Sequence, residues 1–304
     1  FMDCTFGAGG YSRALLKFQE AKVEALDRDN HVTEIADRLK DKFQSRFIFH
    51  NKRFSKLDLV TKNKFDAIIF DLGLSSIQLD DLSRGFSFKS KNKLNMSMGQ
   101  TPRSAKEILN TYNIQDLKDI IKVFGEEEEA KKIAKNIVKE RTKSQILNTD
   151  DLVKIIKKSK KKNFKKKIDP STKTFQAIRI FVNQEISELI EGIIKATKVL
   201  KPGGKLIVIS FHSIEDKIVK FYFKKFSKNQ SRSNKYSPED NNNFSLFENY
   251  KNKIIKATTN EIKRNPRSRS AKLRIAIRSK DEFSDPKELR NKFKYLTDLE
   301  QRIA

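Results

Sequence analysis

Glycines and carboxylates are spaced along the opening part of this chain as a ligand site would need them. Gly7-Ala8-Gly9-Gly10 lies between the start at Phe1-Met2 and the run Tyr11-Ser-Arg-Ala-Leu-Leu16, reading as strand, tight loop and helix. Glycines at such a junction let the backbone pass close to a ligand, and the free N–H groups of a helix N-terminus follow. The spacing is GxGG rather than the dinucleotide GxGxxG, so taken alone it suits a plain tight turn equally well. Asp27 ends the next strand-like run, Lys22-Val-Glu-Ala-Leu26, seventeen residues after Gly10. An acid at that place holds ribose hydroxyls in nucleotide-binding sheets; otherwise it caps a helix or a surface turn. Phe54 follows a third short run, Phe47-Ile-Phe49, and Asp71 ends the apolar stretch Phe65-Asp-Ala-Ile-Ile-Phe70.

The elements that would position these residues are buried strands alternating with helices. That alternation implies an α/β fold with a doubly wound parallel sheet, whose ligands lie beyond the C-terminal ends of its strands. Gly9, Asp27, Phe54 and Asp71 all fall at such ends and so converge on one crevice. Between Leu79 and Ser171 the strand pattern gives way to helices. Ser104-Ala-Lys-Glu107 reads as a capping box, and Ala130, Ile133, Ala134, Ile137 and Val138 share one helix face. Glu127/Lys131 and Glu128/Lys132 are then i,i+4 pairs on its solvent side. Phe175, Ile178, Val182, Ile186, Leu189 and Ile193 give one apolar face of a single long helix. Lys201-Pro-Gly-Gly204 interrupts the chain before another buried strand, Lys205–Ser210, and Leu273–Ile277 alternates as an edge strand does. Residues 228–252, rich in Asn, Ser and Lys, read as a flexible loop.

Four segments result: 1–78 as the first part of the sheet domain, 79–171 as a helical insertion, 172–280 as the second part, and 281–304 as a tail without a readable pattern. Because only two residues precede Asp3, and a buried strand needs about five, the sequence is expected to lack its true N-terminus.

Composition narrows the partners. The chain carries 65 Lys+Arg against 39 Asp+Glu, a formal charge of +26, which favours nucleic acid, an anionic membrane surface or an acidic partner. The preference for lysine, with abundant Asn, Ile and Phe and no Trp, also suits an AT-biased genome. No apolar run approaches the ~20 residues of a membrane span. A single cysteine, Cys4, excludes an intrachain disulfide and suits a reducing cytoplasm. The lysine run from Lys157 to Lys167 is either a solvated charge stretch or a phosphate contact.

From Asp71 onward the motifs become specific. Asp71-Leu-Gly-Leu-Ser75-Ser-Ile-Gln78-Leu-Asp-Asp-Leu-Ser-Arg84-Gly-Phe-Ser-Phe88 is followed by Gly125-Glu-Glu and Thr174-Phe-Gln-Ala-Ile-Arg179. Pro202-Gly-Gly, Ser210-Phe-His-Ser-Ile-Glu-Asp216 and Asn265-Pro-Arg-Ser-Arg-Ser-Ala-Lys-Leu-Arg274 complete the series. This ordered set resembles the bacterial small-subunit ribosomal RNA (cytosine-N4)-methyltransferases of the MraW/RsmH type, over nearly the whole chain to Arg278.

The resemblance implies a Rossmann-like class I methyltransferase sheet with an inserted helical domain. It further implies S-adenosylmethionine as cofactor and methyl transfer to the exocyclic N4 of a cytidine in the decoding region of 16S rRNA. Gly9, Gly10, Tyr11, Asp27, Phe54, Asp71 and Gln78 match the family's cofactor positions. For the chemistry, an acceptor on one N4–H would localise the nitrogen lone pair and help remove the proton; Asp71 and the Ser75/Ser76 hydroxyls are the nearest candidates. The base must be reached single-stranded or flipped. Phe211 is placed to stack on a base and His212 to hydrogen-bond one, while Arg267 and Arg269 either grip phosphate or pin a loop. The expected partner is 16S rRNA or the 30S subunit, in the cytoplasm.

The sequence departs from that family at several points. Tyr11 stands where the family has His, and Lys91-Asn-Lys-Leu94-Asn-Met96-Ser-Met98-Gly99 stands where it reads roughly Asp-Gly-Pro-Leu-Asp-Met-Arg-Met-Asp. Asp169-Pro-Ser-Thr-Lys173 replaces His-Pro-Ala-Thr-Arg. These changes leave an alternative: a catalytically degenerate, basic RNA-binding protein on a methyltransferase scaffold. A nicotinamide dehydrogenase would share the Gly9/Asp27 arrangement but leaves the ordered blocks unexplained.

Overall fold

The computed structural model describes residues 1–99, 101–160, 169–228 and 245–302. In chain order the elements begin with β1 (Met2–Asp3), α1 (Gly10–Leu15), β2 (Val23–Leu26), α2 (Thr33–Phe43) and β3 (Phe47–His50). Next come α3 (Leu57–Val60), β4 (Phe65–Asp71), α4 (Ser76–Asp80), α5 (Ala105–Thr111), α6 (Ile114–Gly125) and α7 (Ala130–Arg141). The helices α8 (Thr149–Ser159), α9 (Thr172–Asn183) and α10 (Glu185–Val199) lead to β5 (Leu200–Ser210) and α11 (Ser213–Lys225). The chain ends with β6 (Ile255–Lys256), α12 (Thr259–Arg264), β7 (Lys272–Ile277) and α13 (Lys287–Glu300). Two compact units share these elements: residues 1–73 with 188–293, and residues 74–187 with 294–304.

The first unit holds a seven-stranded sheet of order β3-β2-β1-β4-β5-β7-β6. Strands β1 to β5 pair in parallel, and β7 runs antiparallel to both β5 and β6. The order reverses between β1 and β4, which makes the C-terminal ends of these two strands a ligand crevice by topology. Although β1 is two residues long, Met2 pairs with Glu24 and Ile68, and Asp3 with Ala25 and Ile69, so both are fully buried. The apolar run of β4 is covered on both faces, with Ile68 and Phe70 wholly inaccessible on one and Ala67 and Ile69 buried on the other.

Three features of this unit differ from the sequence reading. Strand β5 begins at Leu200 and runs through Pro202-Gly203-Gly204; the register against β4 shifts between Phe65 and Ala67, and Gly203 takes φ +79°. Strand β7 is second from the edge, and its alternation is inverted: Arg274 is buried while Ile275 and Ile277 are exposed. Arg274 is accommodated because its guanidinium donates to Asp216 at 2.8 Å, to the Tyr250 hydroxyl at 2.8 Å and to Asn252 at 3.0 Å. Within the expected loop, residues 229–244 lie outside the described ones, yet Leu246 and Phe247 are buried and Phe247 bridges to Arg278.

The second unit is helical. The apolar faces of α6 (Leu117, Ile120, Ile121, Phe124) and α7 (Ala130, Ile133, Ala134, Ile137) are inaccessible, as are Ile178 and Phe181 of α9. Helix α9, assigned to the sheet domain by the sequence reading, packs here against α6. The expected single long helix is broken: Gln184 adopts φ +52° and separates α9 from α10. Side-chain bonding explains the break. The Asn183 amide accepts from Met98 N and donates to the Met96 carbonyl, both at 2.8 Å, while Glu185 turns back to take two hydrogen bonds from Arg179.

The same contacts order the divergent loop, in which Leu94, Met96 and Met98 are buried. Glu127 is buried and pairs with Lys160, so it is not a solvent-side partner of Lys131. Of the lysine run, Lys158 pairs with Glu140, and residues 161–167 lie outside the described ones.

The C-terminal segment carries a helix rather than an unpatterned tail. At the N-terminus of α10, Glu300 accepts from Ile186 N and Ser187 N at 2.8 Å and from the Ser187 hydroxyl at 2.5 Å. It thereby satisfies donors that the start of a helix leaves open. Burial lifts this carboxyl to about 8 against the pull of the three donors. Arg302 adds ion pairs to Asp116 and Asp119 at 3.0 and 3.1 Å.

Candidate functional site

The glycine loop joins β1 to α1 in the sheet unit. Gly9 has φ +74°, and a Cβ there would stand 3.0 Å from the Phe6 ring, so the fold itself demands glycine. At Gly10 the situation is reversed. No heavy atom of the described residues lies within 4 Å of a Cβ position and no unusual φ is required, so a glycine here keeps open space that those residues do not fill. The loop is tied to the end of β2 because Gly7 N donates to Asp27 Oδ2 at 2.8 Å. Asp29 N donates to Asp27 Oδ1 at 2.9 Å, and Asn51 donates to the Asp27 carbonyl at 3.0 Å. Burial raises the Asp27 carboxyl to about 6, with the two backbone donors opposing the rise.

Asp71 is positioned from the same loop. Its backbone N–H donates to the Thr5 hydroxyl at 2.7 Å, and Thr5 N donates in turn to Asp3 Oδ1 at 3.2 Å. Asp3, fully buried, also accepts from the Ser12 hydroxyl at 2.7 Å. Burial raises Asp71 to about 6; the charges of Asp3 and Glu215 add to this, and a hydrogen bond from the Tyr11 hydroxyl opposes it. Oxygen Oδ1 of Asp71 is shielded from solvent and has no hydrogen-bond partner among the described residues. A buried acceptor in that condition carries a desolvation cost that a donor on a ligand would relieve.

The remaining candidates are placed as follows. The Phe54 ring packs edge-on against Phe70 at 5.3 Å and lies so close to Gly192 that a Cβ there would stand 2.5 Å away. In the helical unit, Ser75 caps α4: its hydroxyl accepts from Gln78 N, and the Gln78 side chain accepts from Ser75 N at 3.0 Å. Phe211 N donates to Glu215 at 2.9 Å. His212 precedes α11, its ring largely buried with Nε2 3.1 Å from Glu215 Oε1, and among the described residues neither ring nitrogen has a hydrogen-bond partner. Arg267 and Arg269 are exposed on a short 3-10 turn. Sequence reasoning missed roles for Asp3, Thr5, Ser12 and Glu215. Asp3 shared with Asp71 the signal of an acid closing a strand; Thr5 and Ser12 had none beyond their nearness to the loop.

The strand order, the glycine loop after β1 and the acids after β2 and β4 define a Rossmann-like class I methyltransferase fold with inserted helices. The profile of the MraW methylase family matches residues 1–279, and the chain belongs to that family. It is 45% identical over 289 residues to the ribosomal RNA small subunit methyltransferase H of Bartonella henselae, covering 94% of this chain and 83% of that protein. The protein of the same name from Rickettsia canadensis is 42% identical over 282 residues, covering 91% and 90%. A solved rRNA methylase from Streptococcus thermophilus aligns over 92% of this chain and 86% of its own, with 11% identity and a TM-score of 0.41.

The cofactor of this methylase chain is S-adenosylmethionine, and the residues present fit it. Gly10 leaves room beside the backbone, and each Asp27 oxygen accepts one bond and keeps a free lone pair for a hydroxyl. Among the described residues no helix is long and apolar enough to cross a membrane.

Proposed function

We propose that this chain methylates the exocyclic N4 of a cytidine in the decoding region of 16S rRNA. The observation that carries the reading is the unpartnered, buried Oδ1 of Asp71 at the end of β4, in the unit that also holds the open glycine loop. When bound, S-adenosylmethionine supplies an electrophilic methyl group; the protein supplies position and field. Gly9, Gly10 and Tyr11 line its loop, Asp27 takes the ribose hydroxyls, and Phe54 and Gln78 are further contacts by their place in the family pattern.

Cytosine N4 is a weak nucleophile because its lone pair is delocalised into the ring. Asp71 is the acceptor in this reading: Oδ1 would take a hydrogen bond from the amino group, localise the lone pair and receive the N4 proton as the methyl group leaves the cofactor's sulfur for N4. A carboxyl at about 6 is ionised at neutral pH yet close enough to it to accept a proton. Arg267 and Arg269 contact phosphate and add affinity without reading sequence. Phe211 is the stacking candidate, and Ser75 positions Gln78 through the α4 cap.

The test is transfer of labelled methyl from S-adenosylmethionine to small-subunit rRNA, with the product mapped by mass. A methyl on cytidine N4 is expected. Binding of rRNA with no label transferred would leave the degenerate RNA-binding scaffold instead.

A further inference from the structure

We propose that Glu188 is a positioning residue: from α10 its buried carboxylate holds the chain on both sides of Phe54 and so fixes that ring as a preformed contact for the cofactor. The inference deepens the proposed function and rests on the cofactor contact assigned there to Phe54. The ring belongs to a turn of three residues, Phe54–Lys56, followed by a helix of only four, too little regular structure to hold a side chain still. The hold comes from α10. Arg53 Nη1 donates to Glu188 Oε1 at 3.1 Å, the Ser55 hydroxyl donates to the same oxygen at 2.8 Å, and Ser55 N donates to Oε2 at 3.4 Å. Lys195, seven residues on and so on the same helix face, donates to the Ser55 carbonyl at 2.7 Å and pairs with Asp58 at 2.9 Å.

Between Glu188 and Lys195 stands Gly192. A Cβ there would lie 2.5 Å from the Phe54 ring and 3.2 Å from that of Phe70, so the ring enters the helix surface where a side chain is missing. Glycine inside a helix is a destabilising choice, and a buried ion pair adds little stability that apolar packing would not. Both devices meet at one ring that is itself only half-buried, whereas the carboxylate that holds it is 6% exposed. A phenylalanine of the core needs no such hold. A ring that keeps part of its surface for a ligand does, because ordering it beforehand removes that cost from binding. Phe54 also leans edge-on against Phe70, the residue before Asp71, so the same hold sets the ring relative to the end of β4.

The experiment places 4-fluorophenylalanine at position 54 and follows its fluorine-19 NMR signal, first in the unliganded chain and then during titration with S-adenosylhomocysteine. In the otherwise unaltered protein one signal is expected, and the ligand should shift it. Glu188→Gln keeps an oxygen for Ser55 but loses the charge that holds Arg53. It should shift or broaden the unliganded signal and weaken S-adenosylhomocysteine by about tenfold. Gly192→Ala crowds the same ring and leaves the carboxylate in place; it should have both effects as well, and it serves where Glu188→Gln fails to fold. A double-mutant cycle by calorimetry separates positioning from a general structural role: once Phe54→Ala has removed the ring, Glu188→Gln should cause less than about twofold further loss. Equal losses with and without the ring overturn the proposal, as does a fluorine signal that neither substitution moves. A signal that S-adenosylhomocysteine leaves in place in the unaltered protein overturns the Phe54 contact and this proposal with it. Absence of methyl transfer to rRNA, with the binding results as expected, overturns the proposed methylation alone, because none of these measurements needs RNA.

Discussion

Two buried carboxyls, one in each unit, meet opposite fates. Glu300 in the helical unit is wholly enclosed, and both of its oxygens are taken by donors at the start of α10. Asp71 in the sheet unit has an oxygen equally shielded but left with no donor. Both are raised by burial, to about 8 and about 6. The pKa direction therefore does not separate them, whereas the tally of satisfied lone pairs does. A saturated carboxyl serves the fold; one kept unsaturated, in the unit that holds a glycine the fold does not need, serves something that arrives later.

Breaking the comparison at its open end should give the largest effect. Asp71→Asn is expected to slow methyl transfer by about 10²–10⁴-fold, the usual worth of a proton acceptor. Thermal unfolding of the same variant should show stability unchanged or raised, since a carboxylate with one shielded, unpartnered oxygen gives way to a neutral amide. At the saturated end the outcome should invert. Glu300→Ala is expected to cost about 3 kcal/mol of stability in denaturant titration, because three donors lose their acceptor. Cofactor affinity by calorimetry should stay as in wild type.

A pH series sharpens the contrast. Glu300 binds its proton more tightly folded, at about 8, than the ordinary 4.5 of an unfolded chain. Its contribution is thus complete below 4.5 and is lost as pH rises through 8. The stability difference between wild type and Glu300→Gln should shrink across that window, measured by denaturant midpoints. Asp71 gives a lower window, from the ordinary 3.8 to about 6, with the same sign.

The two glycines make a smaller version of the comparison. Gly9→Ala should destabilise by about 1–2 kcal/mol through its left-handed backbone. Gly10→Ala should leave melting within about 0.5 kcal/mol of wild type yet weaken cofactor binding. Smallest of all, Arg302→Ala should cost under about 1 kcal/mol, since its ion pairs are partly exposed.

Much of the sheet was legible because β4 from Ala67 to Phe70 and β5 from Leu206 to Ile209 are apolar runs, and a loop of glycines has few uses between strand and helix. The acids at the ends of β2 and β4 were legible for the same reason: strand ends announce themselves. What stayed hidden depended on partners distant in sequence. Arg274 enters the interior only because Asp216, Tyr250 and Asn252 meet it there. The apolar period runs unbroken from Phe175 to Ile193, so nothing local marks the break at Gln184, which the hydrogen bonds of Asn183 and Glu185 hold in place. Helix α13 did leave a trace in Leu289, Phe293, Leu296 and Leu299, all buried, but charged residues between them masked the period. Of the site, the acids could be read; the link from Ser12 through Asp3 and Thr5 to Asp71 could not, since its bonds span up to 66 residues.

The cap on α10 also sets an order on biosynthesis. Glu300 is translated 113 residues after Ser187, whose N–H it accepts. While the ribosome makes the intervening strands, the first turn of α10 has to wait with open donors. Domains generally fold as units while the chain emerges, but here the helical unit cannot close until the polypeptide has passed through the sheet and returned. A nascent chain stalled before Glu300 should hold a loosened α10 start and stay open to proteases there. Completion of this fold therefore waits for the segment that carries Glu300.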